Sequence, residues 1–142
     1  MNPRTRAALL RSALPLALMA TIFYFSAQPG IDHNGWFVVL MRKFGHVTEY
    51  ALLTAAWWWA LRVAVRRPLP WAIGISLAYA CTDEFHQTFV RGRDGTPRDI
   101  AIDAVGMAIA ALVIVLRRRA SGARTRIDAE GLVSRSSPAR SP

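Results

Sequence analysis

Four apolar stretches, at residues 7–25, 47–65, 69–90 and 100–116, fill most of the first 116 positions. Each is long enough to approach or cross a ~30 Å hydrocarbon layer. Lipid offers backbone groups no hydrogen-bond partner, so a segment inside it must bond to itself, and each stretch reads as helix. The pattern predicts an all-α integral membrane protein with four transmembrane helices in a compact bundle. Residues 1–6 form a cytoplasmic N-terminus, residues 7–116 the membrane domain, and residues 117–142 a basic tail. The tail is rich in Ser, Arg, Gly and Pro, with few large apolar residues, and is expected not to fold alone. The first stretch has the basic start of a signal peptide. A cut after Ala27 would put Phe25 where a small residue is needed, so an uncleaved span is expected.

Charge orients the spans. The formal net charge is +9, and seven arginines lie after Leu116. With the N-terminus inside, the inner segments hold thirteen basic residues and the outer ones five. That asymmetry predicts both termini in the cytoplasm of a bacterial inner-membrane protein. Trp57, Trp58 and Trp59 then fall toward the inner interface and Trp36 near the outer one. The basic tail lacks interleaved aromatics or any recognition module, so nucleic acid is not an expected partner. A lone cysteine, Cys81, excludes an intramolecular disulfide and a multi-cysteine zinc site, and reads as a small packing residue.

The polar breaks in the spans all fall at the outer end. His46, Glu49 and Tyr50 stand at i, i+3 and i+4, and so do Asp83, His86 and Gln87; Asp99 and Asp103 stand at i and i+4. Because successive spans alternate in direction, the three sets meet at one rim. A charged side chain at mid-bilayer costs at least ~2.5–3.5 kcal/mol, less near the interface, so these groups are expected to turn inward and pair. Glu84 is offset from its neighbours by about 100° per residue and faces another helix or water.

Several chemistries suit two imidazoles and up to five carboxylates. The donor set admits a divalent metal without requiring one: imidazole with carboxylate suits zinc or manganese, and oxygens alone suit magnesium or calcium. The spacings around His46 and His86 are not the HExxH of zinc hydrolases. A metal-free acid–base pair fits the same residues. The loop "VRGRDGTPRD" offers Arg91 and Arg93 to an anion such as a lipid phosphate, or to Asp94 and Asp99 as turn-holding pairs. A network that only fixes helix register is the structural alternative. A proton or solute path is disfavoured, since below Asp83 the third span offers only Tyr79 and Ser76 as polar groups.

"FSAQP" after the first span, "RKFGHVTEYALL" opening the second and "DEFHQTFVRGRDGTPRDIAIDAVG" across the last two resemble the VanZ-like family. These are small bacterial membrane proteins associated with glycopeptide (teicoplanin) resistance. The similarity covers residues 26–110, and Lys43, His46, Tyr50, Glu84, Gln87, Arg93, Asp99 and Gly106 match its pattern. Asp103 stands where the family usually has Asn, Arg91 where proline is common, and Ala110 in place of a second glycine. The resemblance implies an envelope location and no particular reaction. It raises Glu84 above the rank that spacing gives it. The expected catalytic group is His46, Glu84 and Asp99, with Lys43, Tyr50, Gln87, Arg93 and Asp103 binding. The expected partners are the bilayer and a lipid-linked wall precursor or anionic lipid headgroup. The same groups also fit a non-catalytic binding or assembly subunit, or a small transporter component.

Overall fold

The computed structural model describes residues 1–30, 35–93 and 95–136, with side chains as far as Arg124. Five helices follow in order: α1 (Pro3–Arg11), α2 (Ala13–Ser26), α3 (Trp36–Leu61), α4 (Pro68–Gln87) and α5 (Pro97–Ser136). No strand occurs among the described residues. The all-α class follows from the sequence pattern. Two compact units divide the chain, Met1–Ala111 and Leu112–Pro142. Every residue of the candidate site lies in the first.

α1 and α2 are one apolar stretch broken at Ser12. Pro15 lacks the N–H that would reach the carbonyl of Arg11, and the chain yields there. The Ser12 hydroxyl donates back to the Ala8 carbonyl at 2.9 Å. α4 begins on Pro68, whose fixed φ suits a first helical position. Its far end turns through Gly92, whose φ of +72° is the left-handed conformation that glycine adopts without a Cβ clash. The N–H of Gly30 donates to the Arg91 carbonyl at 3.0 Å, tying the segment after α2 to this turn.

Two helical stretches, Pro3–Ser26 and Pro97–Arg124, are long and apolar enough to cross a membrane. α3 and α4 have 26 and 20 residues. At about 1.5 Å per residue either reaches across a bilayer core. Their mean hydropathy is diluted by the polar residues gathered at one end, so two of the four expected spans are recognisable by composition. The outward faces remain apolar: Phe23, Phe25, Phe44, Leu52, Trp71 and Phe85 are all more than 45% exposed. A water-soluble domain rarely leaves so much large apolar surface uncovered.

In the first unit α3 packs along α4 and α2, and α1 lies on α2 and α3. Ile22, Tyr50, Leu53, Ala80 and Met107 form the core, with Trp57 and Tyr79 packed on it. The Tyr79 hydroxyl donates to the Met19 carbonyl at 2.6 Å. α5 crosses α3 at Gly106, where a Cβ would overlap the Val47 carbonyl oxygen. In the second unit α5 continues as helix through Ser136, into the segment that composition reads as an unfolded tail; residues 137–142 lie outside the described residues.

Candidate functional site

α3 supplies the polar face Arg42, His46, Glu49 and Tyr50, α4 ends in Asp83, Glu84 and Gln87, and α5 opens with Asp99 and Asp103. The three sets meet at one end of the first unit. His46 Nδ1 lies 2.9 Å from Asp103 Oδ1, and Lys43 Nζ lies 3.2 Å from Asp99 Oδ1. Donor atoms of His46, Glu84 and Asp103 fall within 4.8 Å of one another. Glu84 is 3% exposed and Asp103 fully buried.

The two aspartates of α5 differ because of where the helix starts. Asp99 sits in the first turn, where its Oδ2 accepts the Thr96 hydroxyl at 2.9 Å and its N–H donates to Thr96 Oγ1 at 3.3 Å. This is N-terminal capping, and Lys43 takes the other oxygen. Both oxygens of Asp99 are therefore engaged, and the carboxylate that reaches His46 is Asp103, one turn deeper. Glu84 Oε2 accepts the Thr96 N–H at 3.0 Å. Its other oxygen, Oε1, and Asp103 Oδ2 are buried and have no hydrogen-bond partner.

Asp83 and Glu84 point to different neighbours, as a 100° offset requires. Asp83 Oδ1 accepts the Ser26 hydroxyl at 2.6 Å, and Oδ2 accepts the Gln87 amide at 3.0 Å. Asp83 thus binds the end of α2 to α4. Arg93 reinforces that joint: its Nε and Nη2 donate to the carbonyls of Gln28 and Phe25, at 3.0 and 2.9 Å. Those carbonyls belong to the C-terminal end of α2 and the turn after it, where helical partners run out. Tyr50 is a core residue with a buried, unpartnered hydroxyl, its ring 6.4 Å from that of Tyr79. His86 stands apart, with its ring stacked on Phe23 at 4.6 Å.

A pocket of about 230 Å³ opens between α2, α3 and α4. Ile22 and Phe25 form its apolar side; Arg42, His46, Glu49, Asp83, Gln87 and Arg93 its polar side. Neither arginine makes an ion pair with a described residue. The Arg93 guanidinium is pulled below its ordinary value, first by burial and then by nearby Arg42.

Helical spacing singles out His46, Gln87, Asp99 and Asp103, and the family resemblance adds Lys43 and Glu84; all are found at this end of the unit. It misses Arg42, Ser26 and Thr96. Arg42 had a signal: with His46 and Glu49 it makes i, i+4 and i+7, one face of a helix. Ser26 and Thr96 had none, since a hydroxyl at a helix end is common.

The family model described as VanZ/LLP1 matches residues 12–118. Comparison with curated proteins and with solved structures found no match.

Proposed function

The chain belongs to the VanZ-like family of membrane proteins, and from that membership we propose a ligand-binding role at the outer face of the bacterial cytoplasmic membrane. In this reading α1–α2, α3, α4 and α5 are four spans with both termini inside, and the pocket faces outward. Its ligand is the anionic group of a lipid headgroup or of a lipid-linked wall precursor. The family's association with glycopeptide (teicoplanin) resistance extends the reading to a change in susceptibility at that face.

The observation that carries it is the pair Arg42 and Arg93 beside one pocket, without an ion-pair partner among the described residues. Two guanidiniums side by side repel, and an anion between them relieves the repulsion while accepting their planar donors. Of the two acids lining the pocket, Asp83 already accepts Ser26 and Gln87. The apolar side formed by Ile22 and Phe25 suits the adjoining lipid chain. Binding without turnover is preferred over an enzymatic role: of the two carboxylates expected as base, Glu84 and Asp99, Asp99 already accepts Lys43 and Thr96, and one oxygen of Glu84 holds the Thr96 N–H.

The test is a titration of the purified protein in nanodiscs with a polyprenyl pyrophosphate, followed by tryptophan fluorescence. Saturable binding weakened at least about tenfold by Arg42→Ala is expected, the loss of about 1.4 kcal/mol. Binding that Arg42→Ala leaves unchanged overturns the reading. In cells, deletion of the protein should alter glycopeptide susceptibility, and His46→Ala or Arg93→Ala should reproduce the deletion.

A second reading has its own support. Asp83, Arg93, Lys43 and Asp99 are all joined to neighbouring segments, as a network that only fixes helix packing requires. That reading predicts loss of protein abundance in step with any loss of phenotype.

A further inference from the structure

We propose that His46, Glu84 and Asp103 bind one divalent first-row transition metal ion, zinc or manganese. Three separate helices bring these residues together, and one donor atom from each lies within 4.8 Å of the others. An imidazole with two carboxylates is a mixed nitrogen and oxygen set, the kind that suits these ions. Calcium requires six to eight oxygens, and magnesium keeps most of its waters, which a cluster this buried does not supply.

The independent observation is the pair of unpartnered oxygens. Glu84 Oε1 and Asp103 Oδ2 have no hydrogen-bond donor, on residues 3% and 0% exposed. An orphaned buried acceptor costs about 1–3 kcal/mol, and more when charged. Two of them beside one imidazole, with no lysine or arginine paired to either, leave a place for a cation. The neighbouring acids do not: both oxygens of Asp83 and both of Asp99 are already taken.

The spacing is compatible. His46 Nδ1 and Asp103 Oδ1 are 2.9 Å apart. With metal–ligand bonds of about 2.1 Å, two donors at that separation subtend about 90° at a shared ion, the angle of adjacent ligands. Two ligands of one ion at about 2.1 Å lie at most about 4.2 Å apart, so a separation as wide as 4.8 Å must close when the ion binds. Of the three ligands, His46 also lines the pocket. The metal site stands on its own residues and does not require the anion reading.

The experiment uses the full chain in detergent, with Cys81→Ser and without a histidine tag, so that neither thiol nor tag binds the ion. Elemental analysis of the purified protein is expected to give one zinc or manganese per chain. After chelator dialysis, calorimetric titration with Zn2+ and Mn2+ should restore one site. Glu84→Gln and Asp103→Asn should each weaken that site at least about tenfold, while thermal unfolding shows both variants folded. Should either variant fail to fold, Co2+ added to the dialysed wild-type protein should raise ligand-field bands in the visible, which Zn2+ then abolishes. Absence of stoichiometric binding, preference for Mg2+ or Ca2+, unchanged affinity in both folded variants, or no Co2+ bands would each overturn the proposal. Polyprenyl pyrophosphate titrated into the metal-free sample reports the anion reading separately.

Discussion

Glu84 Oε2 accepts the backbone N–H of Thr96 at 3.0 Å, so a carboxylate in the last turn of α4 anchors the residue from which α5 starts. Glu84→Ala leaves that N–H without its partner, and a loss of about 1–3 kcal/mol is expected. Glu84→Gln keeps an acceptor in the same place and should lose less than half as much. Thermal unfolding of both variants in one detergent measures the difference. Equal losses would mean that charge, not hydrogen bonding, holds the α4–α5 joint.

Gly106 and Gly74 give opposite expectations for the same substitution. A Cβ on Gly106 would overlap the Val47 carbonyl and lie 3.1 Å from the Ala51 nitrogen, both rigid backbone. Gly106→Ala must push α5 off α3 and is expected to cost about 1–3 kcal/mol. Gly74, exposed on α4, has nothing within 4 Å of its Cβ position, so Gly74→Ala removes backbone freedom from the unfolded chain. A gain of about 0.5–1 kcal/mol is expected there. Unfolding midpoints in detergent decide both.

These two glycines mark how far the sequence could be read. Apolar stretches separated by polar ends made the helices legible, because each stretch has to satisfy its own backbone. Helical spacing also placed His46, Asp83 and Asp103 at one rim. It could not choose between Asp99 and Asp103 as the partner of His46, since both share a face. That choice depends on α5 starting at Pro97, which puts Asp99 in the capping turn and Asp103 beside the imidazole. Spacing ranked Glu84 low for being off the Asp83 face. The offset is what turns Glu84 toward His46 and Asp103 while Asp83 faces Ser26. The sequence offers Arg93 to an anion or to a turn-holding pair with Asp94 or Asp99, of which Asp94 lies outside the described residues. Two of its donors instead hold carbonyls of Phe25 in α2 and Gln28 just after it, a contact set by the fold of the loop.

Arg93 and Arg42 therefore separate by readout. Arg93→Lys removes the planar fork that donates to Gln28 and Phe25 at once, and a lysine cannot reproduce it. A loss of about 1 kcal/mol in stability is expected along with weaker anion binding. Arg42 makes no hydrogen bond or ion pair with the described residues, so Arg42→Ala should weaken binding of a pyrophosphate lipid and leave unfolding unchanged. A stability loss for Arg42→Ala matching that of Arg93→Lys would assign both arginines to structure.

Arg91 and Arg66 lie at opposite ends of α4 and are both exposed, which makes them reporters of its direction. In the four-span reading the positive-inside excess puts Arg66 in the cytoplasm and Arg91 outside. Cys81→Ser removes the only thiol, and Arg91→Cys or Arg66→Cys then supplies a single new one. A membrane-impermeant maleimide should label position 91 in intact spheroplasts and position 66 only after permeabilisation. The reverse pattern would turn the pocket toward the cytosol, away from wall precursors and glycopeptides. Labelling of both positions in intact spheroplasts would mean that α4 does not cross the bilayer. The metal cluster, which depends on helix contacts and not on orientation, would survive either result.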